Sequence, residues 1–362
     1  MTGPELFAAP PFAPDRAARR ATMLAGMLEL TEHHRAANAA YRRMTDIIFG
    51  PPSATAGDLA RLPWLPVRLF KMMDLVSVPP DKIVRQLVSS GTTGQAVSRI
   101  HLDAETAALQ TKALSKIAPE FIGRQRLPMV VIDNRDLLND RARINGRAAG
   151  IIGFAPFGRD HLYLLNESLE PDWGAFSSYL AKHADSPILL FGFTFIVWQY
   201  FVERARAAGL QFRLPAGSLL VHGGGWKRLA DRQVGNAEFK STLAEIFGIA
   251  RVHNYYGMVE QVGSIFFECE HGYLHAPAFA DLVVRDPTTL EPSSIGEEGL
   301  LQVLSLLPRS YPGHSLLTED LGTIHGEDDC LCGRNGKRFS VAGRIKNVEI
   351  RGCSDTRPMP SA

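Results

Sequence analysis

Leu87-Val88-Ser89-Ser90-Gly91-Thr92-Thr93-Gly94-Gln95 is the stretch on which the reading of this sequence turns. An apolar strand runs into two glycines that flank two threonines, with two serines ahead of them. Glycine makes such a turn easily, and the turn exposes backbone N–H groups and hydroxyls together, which suits phosphate oxygens. It is not a Walker A loop, because no Gly-Lys-Ser/Thr follows at the required spacing. The same composition also fits a polar hairpin turn.

From Ile83 onward short apolar runs alternate with helical stretches. The pattern predicts strands at 127–132, 187–191, 218–221, 251–254 and 300–306, and helices at 104–118, 194–208 and 236–247. Strands separated by helices of this length imply a sheet with crossover helices. From Gly272 on only strands and turns are predicted, so the expectation is an α/β body with a β-rich C-terminal part. Upstream, residues 15–49 predict one or two helices, with Met23, Met27, Leu28 and Leu30 near one face, ending before Gly50-Pro51-Pro52. The six prolines of 51–80 suggest a segment that wraps over the surface of the body. No internal repeat is present.

The 362 residues are 45% hydrophobic and 21% charged, which excludes a disordered chain, a collagen-like repeat and a coiled coil. Thirty-nine basic residues against thirty-eight acidic ones give a net charge of +1, so no bulk attraction to nucleic acid or anionic membrane follows. The N-terminus lacks the basic-then-apolar order of a signal peptide. The longest apolar run, 187–202, is broken by Gly192, Thr194 and Gln199 and falls short of the roughly 20 residues a membrane span needs. Four cysteines cannot form a disulfide scaffold in a chain of this length. The expected compartment is the cytoplasm, without membrane insertion.

Those cysteines carry their own signal. Cys269 precedes His275 by six positions, and Cys330-Leu331-Cys332 follows beside Gly333. Three cysteines and one histidine make a complete tetrahedral zinc set, closed and therefore structural. His271 competes with His275, but two residues from Cys269 leave little chain to close a chelate without strain. The alternative is a set of reduced cysteines with an unrelated surface histidine. Cys353 is left over in a polar tail beside Gly352 and Arg351, where a neighbouring guanidinium favours the thiolate. On spacing alone an incidental tail thiol is the better reading.

Four segments together resemble one known family. Ser89-Ser90-Gly91-Thr92-Thr93-Gly94 is similar to the phosphate-loop signature of the adenylate-forming superfamily, which includes acyl-CoA synthetases, peptide-synthetase adenylation domains and firefly luciferase. Tyr255-Tyr256-Gly257-Met258-Val259-Glu260 resembles its aromatic-Gly-x-x-Glu segment. Thr318-Glu319-Asp320 resembles its Thr-Gly-Asp segment, and Gly343-Arg344-Ile345-Lys346 its hinge. More narrowly, His222-Gly223-Gly224-Gly225-Trp226-Lys227 and Arg351-Gly352-Cys353-Ser354-Asp355-Thr356 resemble the acyl-protein synthetase branch, known from the fatty acid reductase of bacterial bioluminescence. The likeness runs from about residue 63 to 356, without the N-terminal helices. The Cys/His pattern resembles the structural zinc site of some phenylacetate-CoA-ligase-like members.

The resemblance implies ATP and Mg²⁺ as cofactors beside structural Zn²⁺. Ser89 to Gly94 would hold phosphates. Tyr255, Tyr256 and Gly257, with Gly224 and Gly225, would border the adenine, and Asp320 would take the ribose hydroxyls. Glu260 would support Mg²⁺, while Arg344 and Lys346 would act at the hinge. It also implies that Cys353 carries the acyl group, and that the partners are a carboxylic acid and an acyl reductase or acyl-carrier protein. Two departures stand out: Leu316 and Leu317 replace the arginine often found before Thr-Gly-Asp, and the chain ends 18 residues after Arg344. The implied fold is thus an adenylate-forming N-terminal domain with a β-rich subdomain, lacking the usual mobile C-terminal domain of about a hundred residues. Either adenylation then runs without that domain's lysine, or a lysine such as Lys346 or Lys337 stands in for it. The implied division is 1–62 helical and wrapping, 63–268 α/β body, 269–342 β-rich with the metal set, and 343–362 hinge-like tail. The function implied is ATP-dependent activation of a carboxylic acid of the fatty acid class as acyl-AMP, followed by transfer to a protein thiol, either Cys353 or one on a partner. An acyl- or aryl-CoA ligase and a non-catalytic nucleotide- or acyl-binding module are the alternatives.

Overall fold

Met129 and Val131 alternate with Val130 and Ile132 along one strand, and all four are fully buried. Successive side chains of a strand point to opposite faces, so this sheet is covered on both sides. The computed structural model describes residues 6–50, 57–89, 97–139, 146–226 and 234–345. Its strands are β1 (Leu65–Pro66), β2 (Ile83–Val88), β3 (Arg99–Asp103), β4 (Leu127–Asn134), β5 (Gly158–Leu165), β6 (Leu189–Phe193), β7 (Leu219–Gly223), β8 (Arg251–Tyr256), β9 (Phe266–Glu268), β10 (Leu274–His275), β11 (Ala280–Arg285), β12 (Glu298–Ser305), β13 (Ser315–Glu327) and β14 (Lys337–Arg344). Twelve of them form one sheet in the order β11-β12-β13-β14-β10-β9-β8-β7-β6-β4-β5, with β1 beside β13. From β5 to β8 the pairing is parallel; from β8 to β11 it is antiparallel throughout. β2 and β3 form a separate hairpin.

One face of the parallel part packs Val130, Ile132, Leu190 and Leu220 against Phe176, Phe201, Phe239, Leu243 and Phe247. These come from helices Trp173–Lys182 and Asn236–Phe247 and from the long helical segment after Thr194. The other face packs Met129, Val131, Leu189 and Phe191 on Ile151 and Phe154, and on Leu109, Ala113 and Ile117 of helix Ala104–Ile117. An α/β body with a β-rich C-terminal part is therefore what the chain builds. All five strands expected from the sequence are present within two residues of their expected ends. The segment 194–208 departs from a plain helix, because Val197–Val202 is wound as a π-helix between two α-helical pieces.

Among the described residues the N-terminal region holds helices Arg16–Ala37 and Ala39–Phe49. Asp15 caps the first by accepting the Ala18 N–H at 2.9 Å. Its buried stripe is Met23, Met27, Leu30 and His34, with Leu28 at the margin rather than on the face. Gly26 lets the helix approach Leu306, where a Cβ would meet the Leu306 Cδ2 at 2.7 Å. The segment after it does more than wrap the surface. Trp64, Leu65, Phe70 and Leu75 are buried, and β1 adds in parallel to Leu316 and Leu317. Its apolar pieces between the prolines enter the core instead of covering it.

Candidate active site and metal centre

Ligands in open parallel sheets bind beyond the carboxyl ends of the strands. Here those ends carry Phe193, Gly223 and the pair Tyr255-Tyr256. Gly223 is held to glycine because a Cβ there would strike the Tyr255 ring. Tyr255 and Tyr256 point to opposite faces. Tyr255 is core, its ring 5.3 Å from Phe154 and 6.0 Å from Phe267 between centroids. Tyr256 is only partly buried, and its hydroxyl donates to Asp320 Oδ2 at 2.7 Å.

That contact joins two of the segments singled out in the sequence. β8 and β13 are four steps apart in the sheet, which at about 4.8 Å per step is about 19 Å if flat. The sheet therefore curls, and Tyr256 spans the hollow beside Phe266 and Phe339. On β14 a register shift near Gly343, whose φ is +135°, sets Arg344 opposite Asp320. Arg344 Nε then donates to Asp320 Oδ1 at 3.2 Å. Thr318 orders the same turn, its Oγ1 donating to the Leu301 carbonyl and accepting the Asp320 N–H. Glu319 points away to Arg68 at 2.8 Å. Leu316 and Leu317 are core residues on the two faces of β13, which is why no arginine can stand there.

Ser89 lies at the neck of the β2–β3 hairpin, where its N–H donates to the Ser98 carbonyl and its Oγ accepts the Ser98 N–H. Ser90, Gly91, Thr92, Thr93 and Gly94 lie outside the described residues, as do Lys346 and Cys353. The hairpin's Leu87, Ile100 and Leu102 share a core with Phe266 and Tyr311, against which Tyr256, Met258 and Val259 pack. The loop's base is thus brought to the same end of the molecule as Tyr256 and Asp320. Glu260 is buried next to this cluster, its charge contributing after burial to raise the Tyr311 phenol above its ordinary range. Gln261, which follows it, donates to the carbonyls of Val303 and Gly313 and fixes the turn. Gly224 and Gly225 are exposed at the end of β7, and Gly257 at the end of β8.

His222 is buried, with Nδ1 2.9 Å from Thr194 Oγ1 and with Nε2 unpartnered among the described residues. Burial first, then Lys240 and His253, pushes its imidazole down to about 3. Lys337 is engaged elsewhere, 3.0 Å from Asp281. Arg147 lies in the first turn of helix Gly146–Phe154 and donates to both oxygens of Asp133, which is fully buried at the end of β4. The signal for that pair was an aspartate closing the apolar run Val130-Val131-Ile132. Trp226 packs with Trp198 and Phe239, and Phe191 with Phe154, as core aromatics.

The metal set assembles from two hairpin tips. Cys269 and His275 flank the β9–β10 turn, and Cys330 and Cys332 lie in the turn between β13 and β14. Their ligand atoms all lie within 4.8 Å of one another. Tetrahedral zinc with bonds of about 2.3 Å to sulfur and 2.05 Å to nitrogen separates two sulfurs by about 3.8 Å and sulfur from nitrogen by about 3.6 Å. Cys269 and Cys330 sulfurs are 3.8 Å apart, and Cys332 Sγ is 3.4 Å from His275 Nε2. The donor set and its spacing fit zinc. Without a cation, burial drives the Cys330 thiol up to about 12 and His275 down to about 4. A bound divalent cation reverses that preference for the thiols. His271 is exposed and stands outside the group.

Among the described residues no helix is long and apolar enough to cross a membrane. The chain is similar to a long-chain-fatty-acid–luciferin-component ligase of Vibrio harveyi, 24% identical over 307 residues that cover 82% of this chain and 77% of that protein. Its counterpart from Aliivibrio fischeri is 28% identical over 148 residues, 40% of this chain and 38% of that one. In fold it is similar to an open conformation of 2-hydroxyisobutyryl-CoA ligase, with a TM-score of 0.69 at 17% identity, covering 92% of this chain and 76% of the other. The same ligase in its postadenylation state also matches, with a TM-score of 0.69 at 17% identity over 92% of this chain and 69% of that one. These likenesses place the fold among adenylate-forming ligase domains. The acyl-protein synthetase model, LuxE, matches residues 4–358, so the N-terminal helices lie within the family's extent rather than outside it. The chain belongs to the acyl-protein synthetase family and is an acyl-protein ligase.

Proposed function

We infer that the chain activates a fatty acid with ATP as an acyl adenylate and then passes the acyl group to a protein thiol. The observation that carries this reading is the meeting of Tyr256, Asp320 and Arg344 in one hydrogen-bonded group at the strand ends. The names of the two bioluminescence relatives supply the class of acid, a long-chain fatty acid.

In the first step a carboxylate oxygen attacks the α-phosphorus, and the bond from that phosphorus to pyrophosphate breaks. Positioning and charge neutralisation suffice for this chemistry, so no general base is required. In this reading the Ser89–Gly94 loop takes the outer phosphates and Gly224, Gly225, Tyr256 and Gly257 border the base. Tyr255 supports that wall from the core. Asp320 accepts from the ribose hydroxyls, and Arg344 offsets negative charge beside it. Glu260 is the residue that would hold Mg²⁺, which supplies charge neutralisation at the phosphates. In the second step the Cys353 thiolate attacks the acyl carbon, AMP leaves with the bonding pair, and the thiol proton passes to solvent. Lys346 is the lysine nearest in sequence to Cys353. Cys269, His275, Cys330 and Cys332 would hold a structural zinc ion. The thioester would feed an acyl reductase or acyl-carrier partner.

The test is ATP–pyrophosphate exchange with a long-chain fatty acid and Mg²⁺. Asp320→Ala should weaken ATP binding, and Glu260→Ala should lower turnover more than binding; unchanged exchange in both removes the adenylation reading. Cys353→Ser should keep exchange and lose hydroxylamine-sensitive labelling by radioactive acid. If it labels as the parent does, the acceptor is an external thiol such as coenzyme A.

A further inference from the structure

We propose that Tyr256 is a positioning residue for sugar selection, its hydroxyl fixing the Asp320 carboxylate so that the carboxylate's remaining lone pairs meet the nucleotide's ribose diol; this rests on the adenylation reading above. An ionised carboxylate offers about four acceptor sites. Among the described residues Oδ2 accepts one hydrogen bond, from Tyr256 at 2.7 Å, and Oδ1 accepts one, from Arg344 Nε at 3.2 Å. One site on each oxygen is left, which matches the two O–H donors of a ribose diol.

The two existing bonds do unequal work. Arg344 has a side chain 70% exposed, whereas the Asp320 side chain is 15% exposed and Tyr256 is wedged beside Phe266 and Phe339. The rigid partner is the phenol. Burial, then the charge of Asp320, holds that phenol well above its ordinary value, so it stays a donor at any working pH. The Asp320 N–H is fixed in turn by Thr318 Oγ1 at 3.1 Å. Backbone and side chain are therefore both anchored, and only χ1 and χ2 of Asp320 are freed when the phenol oxygen goes. A hydrogen bond to a charged group contributes about 1.5–3 kcal/mol, or roughly 10- to 150-fold in binding.

The experiment compares equilibrium binding of ATP and 2′-deoxy-ATP to the full chain, for the parent, Y256F, D320A and the double variant. Y256F keeps the ring between Phe266 and Phe339, so packing is retained. The parent should prefer ATP, and Y256F should lose at least tenfold in ATP affinity with most of the sugar preference gone. Adding Y256F to D320A should cost less than twofold more, since the phenol acts only through the carboxylate. Y256L also lacks the oxygen but loses the ring that borders the base, so should Y256F not fold it is read by sugar discrimination alone. A parent that does not bind ATP overturns the adenylation reading and this proposal together. A parent that discriminates, with Y256F (or Y256L) discriminating equally, or with Y256F adding fully to D320A, overturns this proposal alone.

Discussion

Acid should unfold this protein through three histidines buried in neutral form. His34 and His314 stack at 4.9 Å between the first helix and the 308–314 turn, and His222 lies under helix Asn236–Phe247. Burial lowers all three, His222 and His314 to about 3 and His34 well below its ordinary range. The unfolded chain takes up each proton near pH 6.5, whereas the folded chain resists until far lower pH. Stability is therefore complete above about pH 6.5 and is lost as pH falls through the window below it. His222 and His314 each lose about 1.4 kcal/mol per pH unit there, hence roughly 3 kcal/mol between pH 6.5 and 4.5, and His34 adds to the loss in the same direction. Together they cost several kcal/mol, comparable with the 5–15 kcal/mol that holds a typical domain. The assay is the urea unfolding free energy between pH 7.5 and 4.5 for the parent and for His314→Phe, which keeps a ring against His34. The variant should lose about a third less than the parent over that range. The comparison cancels acid release of any metal, because both proteins carry the same cysteines. Equal acid losses in the two proteins would refute the reasoning.

Changing Cys330 to Ser should release one zinc per chain by elemental analysis and lower the melting temperature, since structural zinc binding is coupled to folding. His271→Ala should keep its zinc. Gly263→Ala should destabilise the fold by about 1–3 kcal/mol in urea, from overpacking and from its backbone at φ +93°. A Cβ there would lie 2.8 Å from both Gln110 Cα and Leu307 Cδ1. Asp133→Ala should cost about 3–5 kcal/mol by stranding Arg147, whose side chain is 21% exposed. Asp133→Asn, which still accepts, should cost less in the same assay.

Much of the fold was legible because its signals are local. Helix Asn236–Phe247 was placed to the residue, since its apolar period is clean and Gly248 ends it in the left-handed region. The π-wound stretch Val197–Val202 was not legible, because every apolar residue there satisfies an α-helical period equally well. The same holds for β1, two residues whose strand character exists only beside Leu316 and Leu317. The segments carrying Tyr256, Asp320 and Arg344 could be picked out by their resemblance to the motifs of a known family, but their contact depends on the curl of the sheet, which no local pattern encodes. The pairing of Arg147 with Asp133, 14 residues back, was not legible for the same reason.

The first helix is sewn to nearly the last strands of the chain. Arg19 holds Glu327 at 2.7 Å and Asp328 at 3.0 Å, across 308 and 309 residues. A ribosome adding 5–20 residues per second takes roughly 15 to 60 s to cover that span. Throughout that interval the Met23, Met27 and Leu30 stripe has no Leu306 or Leu307 to close on, and a newborn chain must keep it from other sticky surfaces. Synthesis is thus the period of greatest hazard for this protein. Slower translation or a shortage of holding chaperones should cost it more soluble yield than it costs a protein whose first helix closes its apolar stripe on neighbouring residues in sequence.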